Sequence, residues 1–291
     1  MRSVLRAPVV ITPHGEDINI VPHIQFGQRL DPVQKPRIEW TVRNADGITA
    51  ISQMVHSSLL DAGAQQARIH DVSKGVDTRR FNRPAVSDMA QRYGFAPGTP
   101  IIASIGNYHP VKGHDVLVEA AAIIKAQSVK AGVVVVGLEE TSFCREVESR
   151  GLGDVVKFAG LLPVPDLREG ASDPLADLLA SSQFYVPSSV DEGAEGLSLS
   201  LLEGMAAGAC PVVSNISGNR DMVQDQVNGR VVEPRDPPAL AAAIMALIRD
   251  PEQRSQLAAS AKATAGRFGW DVIARQYLDL YSSLLDRSHT P

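Results

Sequence analysis

The chain has 291 residues, of which 44% are hydrophobic and 21% charged, a composition typical of a soluble globular protein long enough for two domains. Its net charge of −5 gives no electrostatic reason to expect nucleic-acid binding. No apolar run is long enough to span a bilayer, and Cys144 and Cys210 lack metal-ligand spacing, so we expect a cytoplasmic protein.

The front of the chain contains three plausible strands, at residues 9–12, 48–52 and 68–72. The stretch between the first two contains several prolines and is predicted to be rich in loops, and residues 79–99 have the composition of a linker. We therefore predict that residues 1–95 form a small and incomplete α/β unit, below the usual size of an independent domain.

The rest of the chain alternates short apolar strands with amphipathic helices, the pattern of a doubly wound parallel sheet. The predicted strands are residues 101–105, 133–136, 155–158, 184–186, 211–214 and 230–232. We predict a complete six-stranded Rossmann-like domain over residues 96–268. Residues 269–291 would form a C-terminal helical tail.

Two glutamates bracket the most informative segment. Glu195 precedes a glycine and an apolar run that is predicted to be helical, and Glu203 falls inside that run. A carboxylate among apolar neighbours is costly to bury unless it is hydrogen-bonded, and a polyhydroxyl ligand would supply the donors. Gly196 would let such a ligand approach the backbone, and the amides of Leu197 and Ser198 would suit a phosphate. The alternative is that both glutamates are merely solvated.

The flanking residues favour the binding interpretation. Pro187-Ser188, Glu195-Gly196 and the run from Glu203 through Gly208 to Val213 resemble the core of the retaining GT-B glycosyltransferases, the large glycosyltransferase family 4. The resemblance implies transfer of a sugar from a nucleoside diphosphate sugar with retention of configuration. It also implies that Glu195 accepts hydrogen bonds from sugar hydroxyls and Glu203 from ribose hydroxyls.

Two further segments extend the resemblance towards the front of the chain. Residues 9–15 resemble the family's acceptor-domain strand that ends in His-Gly, which implies that His14 lies beside the reacting sugar carbon. Residues 105–115 resemble the first strand, loop and helix of the donor domain. There Asn107 stands where many members have an arginine, and with Lys112 it would contact the diphosphate. Without the motifs, His14 would be a structural residue and Lys112 a surface lysine.

The resemblance also bears on cofactors and partners. No metal or other cofactor is expected, because a helix dipole, backbone amides and Lys112 would stabilise the leaving diphosphate. The partners expected are a nucleotide sugar and an unknown acceptor, which could be a glycan, a lipid or a small molecule, with possible peripheral membrane contact.

Rival functions remain open at this point. A dehydrogenase is disfavoured because residues 106–113 lack the Gly-x-Gly-x-x-Gly spacing. A GT-B epimerase, a glycogen-synthase-like enzyme and a non-enzymatic nucleotide-sugar-binding module or inactive paralogue share the expected donor domain. The front unit lacks the first half of an acceptor sheet. We therefore expect a shortened form of a longer enzyme that binds donor, transfers sugar poorly and self-associates through the front unit.

Overall fold

Two parallel sheets organise the protein in the computed structural model, which describes residues 7–163, 173–193 and 196–288. The first sheet has three strands in the order β1-β2-β3. These strands are β1 (Val10–Ile11), β2 (Gly47–Ala50) and β3 (Ile69–Asp71). All pairings are parallel, and β1 is an edge strand among the described residues.

The second sheet has six strands, as the sequence predicts, in the order β6-β5-β4-β7-β8-β9. Its strands are β4 (Ile101–Ile105), β5 (Gly132–Val136), β6 (Val156–Phe158), β7 (Phe184–Tyr185), β8 (Cys210–Ser214) and β9 (Arg230–Val232). Every pairing is parallel. This is the doubly wound Rossmann order, in which the direction of winding reverses between the two central strands, here β4 and β7.

Twelve α-helices lie within the described residues. The first six are α1 (Gln34–Asn44), α2 (Gln53–Asp61), α3 (Thr78–Phe81), α4 (Met89–Arg92), α5 (His114–Ala126) and α6 (Thr141–Ser149). The others are α7 (Pro174–Ser181), α8 (Leu199–Ala207), α9 (Ser217–Arg220), α10 (Pro237–Arg249), α11 (Pro251–Gly266) and α12 (Trp270–Ser288). None of these helices combines the length and the apolar character needed to cross a membrane.

The prediction of a loop-rich stretch between the first two strands is wrong for α1, which is an 11-residue helix. Pro36 lies in its first turn, where a proline removes no intrahelical hydrogen bond. Within α1 the buried residue is Val42, so this helix lacks the apolar stripe that reveals most surface helices in a sequence.

The predicted linker, residues 79–99, is packed rather than extended. Its two short helices α3 and α4 bury Phe81 and Met89, each 1% exposed. Both side chains join a hydrophobic cluster that contains Ile48 of the first sheet and Ala103 of the second. One apolar core therefore runs continuously from the front unit into the second domain.

Successive residues of the second sheet alternate between two clusters, as expected for strands buried on both faces. Ala103 and Tyr185 face the cluster shared with the front unit. Ile102 and Phe184 face the opposite side, where α5 and α10 cover the sheet.

The last helix, α12, returns to the front unit. Leu284 and Leu280 lie against Gly47 of β2, and a Cβ on Gly47 would be only 2.9 Å from Leu284 Cδ1. The hydroxyl of Tyr277 lies 3.3 Å from the hydroxyl of Thr12. The ring of Trp270 lies directly over Gly75, so any larger residue there would overlap the indole.

Candidate functional site

The carboxyl ends of β4 and β7 form the place where a ligand is expected on this fold, because the connections from these strands leave in opposite directions and open a crevice. β4 ends at Ile105 and continues into Gly106 and Asn107. Helix α8 reaches this place from the other side, since the hydroxyl of Ser200 donates to the Ile105 carbonyl at 3.5 Å.

Helix α8 begins at Leu199, two residues later than the first amide predicted to serve a phosphate. Ser198 is its N-cap, and the Ser198 hydroxyl accepts a hydrogen bond from the Leu201 amide at 3.3 Å. Leu197 is buried just before the helix. Helix geometry leaves the amides of the first turn, at Leu199 and Ser200, without intrahelical acceptors, so this end of α8 is suited to an anion.

Lys112 and Asn107 flank the end of β4. The methylenes of Lys112 pass over Gly106, with the Lys112 Cδ 3.6 Å from where a Cβ on Gly106 would lie. The Asn107 carbonyl oxygen accepts a hydrogen bond from the Leu138 amide at 2.9 Å, which leaves the amino group of this side chain as its donor to a ligand. Both side chains therefore lie at the carboxyl end of β4.

Glu203 lies one turn beyond Leu199 on the partly open face of α8. Burial raises the pKa of Glu203 to about 7; Arg80 opposes this shift and Asp173 reinforces it. No hydrogen bond to this carboxylate comes from the described part of the chain. A half-buried carboxylate without donors is matched to a ligand that supplies hydroxyl groups.

The ion pair beside Glu203 joins Arg80 to Asp173, and no local pattern in the sequence reveals it. Arg80 Nε lies 2.7 Å from Asp173 Oδ2, and its Nη2 lies 3.2 Å from Oδ1. Asp173 also caps α7, and Asp-Pro at that position is a helix-start signal visible in the sequence. The partner of Asp173 has no such signal, because Arg80 is 93 residues away in the chain.

His14 lies on a compact loop after β1. The Asp17 carboxylate accepts hydrogen bonds from the His14 amide at 2.9 Å and the Gly15 amide at 2.9 Å, which fixes the turn. The His14 carbonyl lies against Gly196, 2.8 Å from where a Cβ on Gly196 would be. The structure thus brings His14, which is exposed, next to the loop that leads into α8.

Most of the predicted site residues converge on this crevice: Asn107 and Lys112 from β4 and its following turn, Gly196, Leu197, Ser198 and Glu203 from the α8 segment, and His14 from the front unit. Glu195 lies outside the described residues. Within the described ranges, no group of three or more His, Cys, Asp or Glu residues could hold a metal ion.

Comparisons with known proteins show the family to which the chain belongs. The family described as glycosyl transferases group 1 matches residues 87–264, and glycosyltransferase family 4 matches residues 1–80. A D-inositol 3-phosphate glycosyltransferase of Xylanimonas cellulosilytica is 32% identical over 258 residues, covering 86% of this chain and 60% of that protein. The enzyme of the same name from Salinispora tropica is 30% identical and covers 97% of this chain. The chain spans about 60% of the length of these relatives.

Solved structures share the fold. Anabaena HepE in complex with UDP superposes with a TM-score of 0.80 at 22% identity, over 97% of this chain and 74% of that one. Sucrose-phosphate synthase from Thermosynechococcus elongatus superposes with a TM-score of 0.77 at 22% identity, over 96% of this chain and 68% of that one. This chain therefore belongs to the group 1 glycosyltransferases of family 4, and its two sheets have the GT-B arrangement.

Proposed function

We propose that this chain binds a nucleoside diphosphate sugar in the crevice between β4 and β7 and transfers the sugar to an acceptor with retention of configuration. One observation carries the proposal: the N-terminus of α8 and the half-buried Glu203 lie on one helix, beside β4 and β7, where the direction of winding of the sheet reverses. A diphosphate at the helix start and a ribose one turn further on would use both features. HepE, which has the same fold, was crystallised with UDP and with UDP-glucose, so these are the first ligands to test.

Each residue has a defined part in this proposal. The amides of Leu199 and Ser200, with Lys112 and the Asn107 amino group, would hold the diphosphate and stabilise its charge as the sugar departs. Glu203 would accept hydrogen bonds from the ribose, and Glu195 from the sugar hydroxyls. His14 would lie beside the reacting carbon and help to orient the donor. With this many positive and dipolar groups at the leaving diphosphate, we propose that no divalent ion is required.

The raised pKa of Glu203 makes donor binding depend on pH. An ionised carboxylate accepts stronger hydrogen bonds than a protonated one, so affinity for UDP-glucose, whose diphosphate does not titrate in this range, should rise as the pH increases through about 7. Calorimetry from pH 6 to pH 8.5 would show this. The Glu203→Gln variant, which has no ionisable group there, should show no such rise.

Loss of Glu203 tests the site itself. Hydrogen bonds to a charged group contribute roughly 1.5–3 kcal/mol, so Glu203→Ala should weaken UDP binding about tenfold or more at pH 8. Glu146→Ala, which removes an exposed glutamate from α6, is the matched control and should bind normally. Unchanged affinity in a folded Glu203→Ala protein would contradict the assignment. Binding that disappears in EDTA and returns with Mg²⁺ or Mn²⁺ would contradict the metal-independent mechanism.

A further inference from the structure

A buried histidine lies beside Lys112 at the carboxyl end of β4. His114 is the first residue of α5 and is 4% exposed. Its Nε2 lies 3.8 Å from where a Cβ on Gly106 would be, and the Lys112 Cε lies 3.8 Å from the same point. The imidazole and the Lys112 side chain therefore share one side of Gly106, where β4 ends.

The turn before His114 is fixed against the chain that follows β7. Gly113 has a φ of +60° and lies so close to the Ser188 carbonyl oxygen that no side chain would fit there. The Ser188 hydroxyl donates to the Lys112 carbonyl at 3.0 Å. The N-terminus of α5 is thus held between the carboxyl ends of β4 and β7, which is where a crevice opens on this fold.

The imidazole has aromatic neighbours on one side and no polar partner. The ring of Tyr108 lies 6.2 Å from that of His114, centroid to centroid, and Phe143 packs on Tyr108 at 4.9 Å. Neither nitrogen of the His114 ring makes a hydrogen bond within the described part of the chain. Buried polar groups normally have a partner, and an unpaired one costs free energy. A ligand in the crevice is therefore the expected partner of this ring.

The charge state of the ring limits which ligand groups it can serve. Burial, followed by the charge of Lys112, lowers the pKa of His114 to about 4, and Asp115 opposes this shift. The imidazole is therefore neutral near pH 7 and carries a single N–H donor. The oxygens of an ionised phosphate only accept hydrogen bonds, so the ring can serve a phosphate through Nε2 when the proton is on that nitrogen.

We infer that His114 binds the diphosphate of the donor by donating a hydrogen bond from Nε2 to a phosphate oxygen beside Lys112, an inference that rests on the proposed function. Lys112 supplies charge on a flexible stem, whereas packing holds the imidazole, so His114 supplies a donor of fixed direction. The ribose position at Glu203 makes no use of His114. The residue therefore contributes to affinity for UDP and UDP-glucose and leaves affinity for uridine unchanged.

Glutamine and asparagine variants separate the two ring nitrogens. The amide nitrogen of glutamine lies about as far from the backbone as Nε2 does, and that of asparagine about as far as Nδ1. Calorimetry should show UDP affinity reduced about tenfold in His114→Asn and kept within about threefold in His114→Gln, because a hydrogen bond to a charged phosphate is lost only in the first. Uridine affinity should be equal in both variants and in wild type.

Two results of this experiment would overturn the inference. One is an equal loss of UDP and uridine affinity in His114→Asn, which would mean that the substitution disturbs the whole site. The other is UDP affinity in His114→Asn that equals that of wild type.

His109→Asn is the matched control, because it makes the same substitution in the same turn. His109 is exposed, and its Nδ1 accepts a hydrogen bond from the Val111 amide at 3.3 Å. Asparagine keeps an acceptor near that position. UDP affinity should stay within about twofold of wild type. A tenfold loss in this control as well would show that the turn, and not the His114 ring, determines the affinity.

Nitrogen-15 NMR of the histidine rings detects the contact directly. The His114 signals are those missing from the His114→Gln spectrum. Saturation with UDP should shift the Nε2 signal and show the proton on that nitrogen, whereas saturation with uridine should leave the ring unchanged. An unshifted ring, or a UDP complex with the proton on Nδ1, would overturn the inference.

Pyrophosphate separates a failure of this inference from a failure of the proposed function. If wild type binds neither uridine nor UDP, the proposed function fails. A shift of the His114 Nε2 signal on titration with pyrophosphate would still identify a phosphate-binding turn. No shift with pyrophosphate in that case would overturn the inference as well.

Discussion

The six-stranded sheet has one face covered entirely by helices of its own domain, whereas the three-stranded sheet is covered partly by the last helix of the chain. On the second domain, α5 and α10 pack over the cluster that contains Ile102 and Phe184. In the front unit, Leu280 and Leu284 of α12 pack on Gly47 in β2. The half of the crevice that carries His14 therefore depends for its packing on residues far along the chain, and we expect the two halves to differ in local stability.

The largest loss of stability should come from removing the contact of α12 with β2. Leu280→Ala removes a side chain that is 5% exposed, and such core truncations cost about 2–5 kcal/mol. Hydrogen exchange should rise in the peptide containing β2 and stay unchanged in the peptide containing β5. Leu278→Ala, in the same helix but 61% exposed, should leave both peptides as in wild type. Equal acceleration of β2 and β5 would show that the two units open together.

A smaller effect should appear in the second domain at Glu203, whose pKa in the folded protein is about 7 against an ordinary value of 4.5. The folded state therefore binds a proton more tightly than the unfolded state, so this group lowers stability as the pH rises from about 4.5 to about 7. Glu203→Gln should be more stable than wild type at pH 8 by about 1–2 kcal/mol and equal to it near pH 4.5.

Urea titrations at the two pH values would measure this difference, with Glu146→Gln as the exposed control. A variant that is less stable than wild type at pH 8 would show that the carboxylate is satisfied by protein groups. The expected stabilisation, joined to weaker donor binding, would identify Glu203 as a residue retained for function at the expense of folding.

The smallest effect on stability should come from the pair that His56 and Asp71 form in the front unit. The hydrogen bond with Asp71, at 2.7 Å, is the main cause of the raised pKa of His56. A raised histidine pKa contributes stability that is present below about pH 6.5 and is lost as the pH rises through the folded-state value. Because Asp71 is mostly exposed, the loss between pH 6 and pH 8 should be about 0.5 kcal/mol.

Exchange of the β3 peptide in wild type and His56→Gln would detect this loss, after correction for the intrinsic pH dependence of exchange. Wild type should lose protection between pH 6 and pH 8, and the variant should not. If the variant shows the same loss, the pair is not the source of the pH dependence in the front unit.

The second sheet was predictable because its strands are short apolar runs buried on both faces. Val133 and Val134 belong to opposite clusters, yet both are apolar, and such continuous runs between amphipathic helices specify a parallel sheet. Helix α1 was missed because Pro36 and the prolines before it suggest loops and because its buried side chain is Val42 alone. A local pattern can reveal an element only where that element buries a regular face.

The site was predictable to the extent that it is local in sequence. Ser198, Gly196 and Glu203 belong to one segment with a recognisable helix start, and the structure places that segment at the winding reversal. The contacts of Asn19 with Gly193 and of Arg80 with Asp173 join residues 174 and 93 positions apart. No local pattern in one sequence encodes such pairs, because they arise only when the two units pack together.

The hydrogen bonds around Val76 have a consequence for how the protein can be divided. The Val76 amide donates to the Phe268 carbonyl at 2.8 Å, and the Trp270 amide donates to the Val76 carbonyl at 3.3 Å. The chain thus leaves the front unit and re-enters it at adjacent points. In topological terms the second domain is inserted into the front unit between Val76 and Trp270, so the two ends of the insertion lie next to each other. A short loop joining these two residues would reconnect the front unit to its own closing helix, although separation would expose the apolar core that the two units share.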